Sequence, residues 1–369
     1  MTAPVLFSEV ACPQGGVIAI ATLNSEKTLN ALNLTMVELL FAKLQQWQND
    51  ARVKLVFLQG QGDRAFCAGG DVYAMRLLAL KNPGGPCVEA ENFFAQEYRL
   101  DYLLHNYGKP IVVWGHGIVM GGGLGLLAGC SHRVVTEKTR IAMPEVTIAL
   151  FPDVGGSYFL HRMPGECGRF LALTAASINA SDAIYADLAN VFLNHSQQAQ
   201  VLAALQALTY SGDSQADSAL IGEQLQRFAG LAIDKPEANL QTHQTLIDKL
   251  CAGENVQLIV ERIANIVSDE PWLQRAQQGL RGGSPLAIKW IFKQLQRSAQ
   301  LDLKAVFNAE LVLVSNILRH PEFAEGVRAL LVDKDKKPQW QYATLTEVDD
   351  AVVDSFFVPP WSVNPLADL

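Results

Sequence analysis

Apolar and polar positions follow two regimes along this chain. Up to about Phe192, short β-rich runs alternate with segments of helical spacing: GVIAIATL, LNLTMVELLFAKLQQWQND, VKLVFLQG, a stretch including NFFAQEYRLDYLLHN, and IVVWGHGIV. Apolar runs of strand length predict buried strands and 3.6-residue spacing predicts amphipathic helices, so residues 1–192 are expected to form an α/β core. Beyond Phe192 the β-rich runs stop. HSQQAQVLAALQAL, LIGEQLQRFAG, HQTLIDKLCAG and VQLIVERIANIV carry apolar residues at helical spacing, which predicts a helical region over 193–333. Within it, Ser284 and Pro285 make an N-cap and first-turn pair opening PLAIKWIFKQL. The charge-rich tail 334–369, ending near FFVPPWSVNP, is expected to be extended.

Glycines interrupt this pattern in two informative places. After IVVWGHGIV, a predicted buried strand, comes MGGG, a turn that side chains would block, and then LGLLAGC, with the composition of a short helix. The first N–H groups of a helix have no partner within it, so they are free to donate to an anionic oxygen. A second turn, AFCAGGDVYAM, follows VKLVFLQG and opens into a helical pattern that Asp71 is placed to cap. Two backbone donors converging on one carbonyl oxygen are what thioester or enolate chemistry requires, because charge builds on that oxygen in the transition state.

Close behind stands MPEVTIALFPDVGG, in which Glu145 and Asp153 each follow a proline and are separated almost wholly by apolar residues. Carboxylates held in apolar surroundings have their proton affinity tuned for acid, base or nucleophile work. Their bland readings are a capping or salt-bridged Glu145 and a loop-capping Asp153. Glu97, in FFAQEYRL, reads as one charge on an amphipathic helix, and His116 as a packed histidine. Gly123, Gly125 and Ala128 form a GxGxxA, but Glu145 lies in a proline-flanked loop rather than at a strand end, so a dinucleotide fingerprint is set aside. No GxSxG occurs, which leaves any hydrolysis to the carboxylates.

Composition narrows the classes further. A 49% hydrophobic content over 369 residues is ample for a large core. The net charge of −8 argues against nucleic-acid or anionic-membrane partners. Six scattered cysteines without a CxxC pair predict reduced, packed thiols, and neither they nor the histidines form a metal pattern, so no metal is expected. With no basic-then-apolar start and no apolar run of membrane length, the expected location is cytoplasmic.

The phrases AFCAGGD, HGIVMGGGLGL and AMPEVTIALFPDVGGSYFL resemble those of the crotonase (enoyl-CoA hydratase/isomerase) superfamily, and within it are most similar to the 3-hydroxyisobutyryl-CoA hydrolase branch. SPLAIKWIFKQL and FNAELVLVSNILRHPEFAEGVRALLVDKDKKPQW extend the likeness to nearly the whole chain, except for a poorly matching stretch around 196–249. The resemblance implies a crotonase-like spiral of β-β-α units with a helical C-terminal region. It also implies an oxyanion hole from the N–H groups of Gly70 and Gly122, catalytic Glu145 and Asp153, and a substrate-contacting Glu97, with coenzyme A as part of the substrate and no separate cofactor. Hydratases of this superfamily carry a second glutamate where this chain has Gly125, so simple hydration is disfavoured. The Glu/Asp pair is shared with dienoyl-CoA isomerases; Glu97 and the long C-terminal region favour the hydrolase, with 3-hydroxyisobutyrate from valine degradation as the leading product. A non-catalytic acyl-CoA or partner-binding protein is the contrasting class, and the oligomeric state stays open.

Overall fold

A computed structural model describes residues 3–369. Among the described residues, nine strands form two sheets: β1 (Val5–Ala11), β2 (Val17–Leu23), β3 (Val53–Gly60), β4 (Ala65–Cys67), β5 (Ile111–Gly115), β6 (Ile118–Met120), β7 (His132–Val135), β8 (Arg140–Ala142) and β9 (Val191–Phe192). The larger sheet has the order β1-β2-β3-β5-β7-β9, and the smaller is β4-β6-β8. Only β1 and β2 pair antiparallel in the larger sheet; every later neighbour is parallel. Each of the pairs β3/β4, β5/β6 and β7/β8 places its first strand in the larger sheet and its second in the smaller. This is the β-β-α repeat expected from the alternation of apolar runs and helical segments.

The run IVVWGHGIV is not one strand. It breaks into β5 and β6, which belong to different sheets, because Gly117 turns left-handed at φ 59 where a Cβ would meet Arg64 O at 2.3 Å. The central strands are apolar on both faces because both faces are covered. Ile18, Ile20, Leu55, Phe57, Trp114 and Val134 are buried in one cluster with Val201, Leu205, Ile221 and Leu225, which come from the helices Gln198–Gln206 and Ser214–Ala229.

The chain divides into two compact units that do not follow chain order. The first takes residues 1–70, 100–141 and 178–239; the second takes 71–99, 142–177 and 240–369. Two helices of the second unit are capped as their sequences imply: Asp71 accepts from Ala74 N–H at 3.0 Å and Ser284 from Ala287 N–H at 3.0 Å. No strand follows β9 among the described residues. The tail is less extended than its charge suggests, since it contains a 3-10 turn at Leu345–Glu347 and the helix Asp350–Ser355. Asn316 Nδ2 fastens it by donating to Phe356 O at 2.8 Å and Val358 O at 2.9 Å. No helix among the described residues is long and apolar enough to cross a membrane.

Candidate active site

The first unit contains both glycine turns, packed backbone against backbone. Gly69 is left-handed at φ 97, and a Cβ there would lie 3.0 Å from Met120 O and 3.4 Å from Gly122 N. A Cβ at Gly123 would sit 2.2 Å from Cys67 O, so only glycine allows this approach. Leu32 N–H donates to Gly69 O at 2.8 Å. In a trans peptide C=O and N–H point opposite ways, so the N–H of Gly70 faces away from Leu32. Gly122 begins the helix Gly122–Ala128, whose first internal bonds run from Leu124 and Gly125 N–H to Gly121 O. The N–H of Gly122 therefore precedes the helical ladder and is one of its orphan donors. The helix starts two residues earlier than its leucines suggest.

All three candidate carboxylates lie in the second unit, and all are buried: Glu97 is 2%, Glu145 5% and Asp153 4% exposed. Glu145 begins a 3-10 turn, Glu145–Ile148, that the following helices lock in place. Ser284 N–H donates to Val146 O at 3.1 Å, Trp290 Nε1 to Leu150 O at 3.3 Å, and Gly326 lies against the backbone of Ile148. Asp153 accepts a 2.6 Å bond from Tyr98 Oη. Glu97 belongs to the helix Val88–His105, and its burial sets it apart from an ordinary surface charge on an amphipathic helix. On that helix Glu97 and Tyr98 are buried beside Phe93 and Phe94, and Glu91 and Asp101 are buried as well.

Burial, and then the negative charge of Asp153, hold both Glu145 and Glu97 well above the usual carboxylate range. Asp153 itself is pushed up to about 6 by burial, against the Tyr98 bond that favours its charged form. Nothing among the described residues hydrogen-bonds to Glu145 Oε2 or Glu97 Oε1. A buried, unsatisfied carboxylate oxygen costs stability, and such a cost is characteristic of a group reserved for chemistry or for a ligand.

Sequence reasoning missed two members of this cluster, Tyr98 and Glu310. Tyr98 is fully buried beside Glu97. Glu310, on the helix Leu303–Leu318, is also fully buried and bonds the backbone just after Asp153. The signal for it was available: Phe307, Glu310, Leu311 and Val314 share one buried stripe at helical spacing, so an acid there points into the interior. His116 is packed as expected, its ring stacked on His195 at 4.6 Å and its Nε2 2.7 Å from Gly62 O.

A dependence on pH follows from the electrostatics. If ionised Glu145 is the working form, activity falls as pH drops through its raised value. Asp153→Asn removes the neighbouring negative charge, so the acid limb of the kcat profile is expected to move to lower pH, whatever happens to its height. A limb that stays in place would show that the Asp153 charge does not act on the titrating group.

Comparison with known proteins bears on the same residues. The family model described as Enoyl-CoA hydratase/isomerase matches residues 18–357. The protein named 3-hydroxyisobutyryl-CoA hydrolase, mitochondrial, from Gallus gallus is 36% identical over 94% of this chain and 87% of its own length. Its namesake from Danio rerio is 36% identical over 95% of this chain and 89% of its own. A crystal structure of a carnitinyl-CoA dehydratase from Mycobacterium thermoresistibile superposes with a TM-score of 0.86 at 32% identity, covering 100% of both chains. The relatives' names place them in mitochondria and lend no support to the cytoplasmic location expected above. With the glycine turns, the β-β-α repeat and the buried Glu/Asp pair accounted for, the chain belongs to the enoyl-CoA hydratase/isomerase family.

Proposed function

We propose that this protein hydrolyses 3-hydroxyisobutyryl-CoA to 3-hydroxyisobutyrate and free CoA. The observation that carries the reading is the buried trio Glu97, Glu145 and Asp153, with one unpartnered oxygen on each glutamate. The hydrolases of Gallus gallus and Danio rerio support the choice of substrate. In the proposed reaction the thioester carbonyl oxygen accepts from the N–H groups of Gly70 and Gly122, which stabilise the charge that develops there. The Glu145 carboxylate attacks the carbonyl carbon, CoA leaves as thiolate and is protonated, and water opens the resulting anhydride. In the other route Glu145 takes a proton from a water that attacks the same carbon. Both routes consume one water and yield one acid and one thiol. Asp153 and Glu97 grip the 3-hydroxyacyl group.

The solved structure of a carnitinyl-CoA dehydratase directs attention to hydration or dehydration. That chemistry calls for a second acid or base at the position of Gly125, and Gly125 has no side chain to supply one. The test is a panel of CoA thioesters followed by free-thiol release, by loss of enoyl absorbance and by double-bond migration. Thiol release from 3-hydroxyisobutyryl-CoA or 3-hydroxypropionyl-CoA is expected, with no shift of the double bonds of a 3,5-dienoyl-CoA. Efficient isomerisation or hydration without thiol release would falsify the proposal.

A further inference from the structure

Asp153 stands at the head of a turn that an ordinary loop would not adopt. The two residues after it are both left-handed, Val154 at φ 53 and Gly155 at φ 82. Glycine takes this conformation freely, but a β-branched residue takes it only where the surroundings impose it. Here Gly156 N–H closes the turn by donating to Asp153 O at 2.6 Å, and Glu310 braces it from outside. One of its oxygens accepts from Gly155 N–H at 2.8 Å and the other from Ser157 N–H at 2.9 Å, while Gln294 Nε2 donates to Ser157 Oγ at 3.2 Å. One turn earlier on the same helix, Phe307 packs against Tyr98 with ring centroids 5.7 Å apart, and Tyr98 in turn donates to Asp153. The helix Leu303–Leu318 thus reaches Asp153 from two sides, through its backbone turn and through its hydrogen-bond donor.

We propose that Glu310 is a positioning residue for Asp153, its two oxygens clamping the Val154–Gly155 turn so that the Asp153 carboxylate meets the hydroxyl of the acyl group. The proposal rests on the reading of Asp153 as a group that grips the 3-hydroxyl. An isolated carboxylate inside a protein is costly, and a turn could be braced more cheaply by a backbone carbonyl or a serine. Burial, and then the Asp153 charge, push Glu310 up to about 8. The bonds from Gly155 and Ser157 N–H favour its ionised form, whose two equivalent acceptors at a fixed separation fit two N–H groups two residues apart. Glutamine cannot replace it, because its NH2 would confront one of the N–H donors. Aspartate keeps both acceptors but is one methylene short, so it would pull the turn away from its place.

The experiment compares kcat/KM for 3-hydroxyisobutyryl-CoA with that for isobutyryl-CoA, which lacks the hydroxyl, in the wild type, Glu310→Gln, Glu310→Asp and Asp153→Asn. If Glu310 acts through Asp153, the ratio of the two values falls in Glu310→Gln by ~10-fold or more, and by less in Glu310→Asp. Asp153→Asn lowers the same ratio. A purely structural loss would lower both substrates together and leave the ratio where it was, and that result overturns the proposal. Should Glu310→Gln not fold, Glu310→Asp carries the comparison, and an unchanged ratio in it is equally fatal. If Asp153→Asn changes the ratio and the Glu310 variants do not, only the role of Glu310 falls. If Asp153→Asn leaves the ratio unchanged, the reading of Asp153 falls and the proposal with it.

Discussion

Replacing Glu145 with glutamine is expected to lower turnover at least ~100-fold, while the fold and the affinity for CoA thioesters are retained. The side chain keeps its shape and loses only the capacity to attack a carbonyl carbon or to take a proton from water, and both proposed routes need one of these. The same substitution is expected to raise the melting temperature at neutral pH. Glu145 is held above the usual range by burial first and by the Asp153 charge second, so the folded chain binds this proton more tightly than the unfolded chain. The stabilisation from a group raised in this way is complete below its unfolded value of about 4.3 and is lost as pH rises through the folded value. At neutral pH glutamine removes that cost. Higher stability with lost turnover separates a working carboxylate from a structural one, since removing a structural one would lower both. Thiol release within a few-fold of wild type would remove Glu145 from the chemistry.

The sequence showed local chemistry more readily than long-range placement. VIAIATL and VKLVFLQG are strands because their apolar runs are buried, and Asp71 and Ser284 cap helices because capping is decided within four residues. Glu145 and Asp153 were visible as acids in an apolar stretch, and their burial follows from it. Glu97 is singled out only by the resemblance, because a helix bearing Arg99 and Asp101 nearby looks amphipathic by its own residues; which of its charges turns inward depends on what covers it. Phe307 and Glu310 lie more than 150 residues from Tyr98 and Asp153, and no local period encodes such a pairing. The interleaving of the two units, in which residues 71–99 fold with 240–369, is invisible for the same reason. A left-handed valine, Val154, ran against every local preference, and it lies beside a candidate catalytic group. Departures of this kind concentrate where function outweighs propensity.

Valine at Gly122 is expected to slow the chemical step by about 3 kcal/mol, the scale found when an oxyanion donor is lost. Gly122 is buried and is the first residue of its helix, and its backbone is not left-handed, so valine is not excluded there by φ. The effect of the side chain is steric. It projects beside an N–H group that must stay open to a carbonyl oxygen, next to a turn so tight that a Cβ on Gly69 would lie 3.4 Å from Gly122 N. A β-branched residue in the first turn costs little helix stability by itself, so the variant should fold. Because the bulk also hinders thioester binding, steady-state rates mix two effects. Single-turnover rates at saturating thioester isolate the chemical step, and these should fall even where binding is saturated. An unchanged single-turnover rate in a folded Gly122→Val protein would make the glycine cluster a packing device only. The charge on the carbonyl oxygen would then have to be stabilised by other donors, although Glu145 and Asp153 could keep their roles.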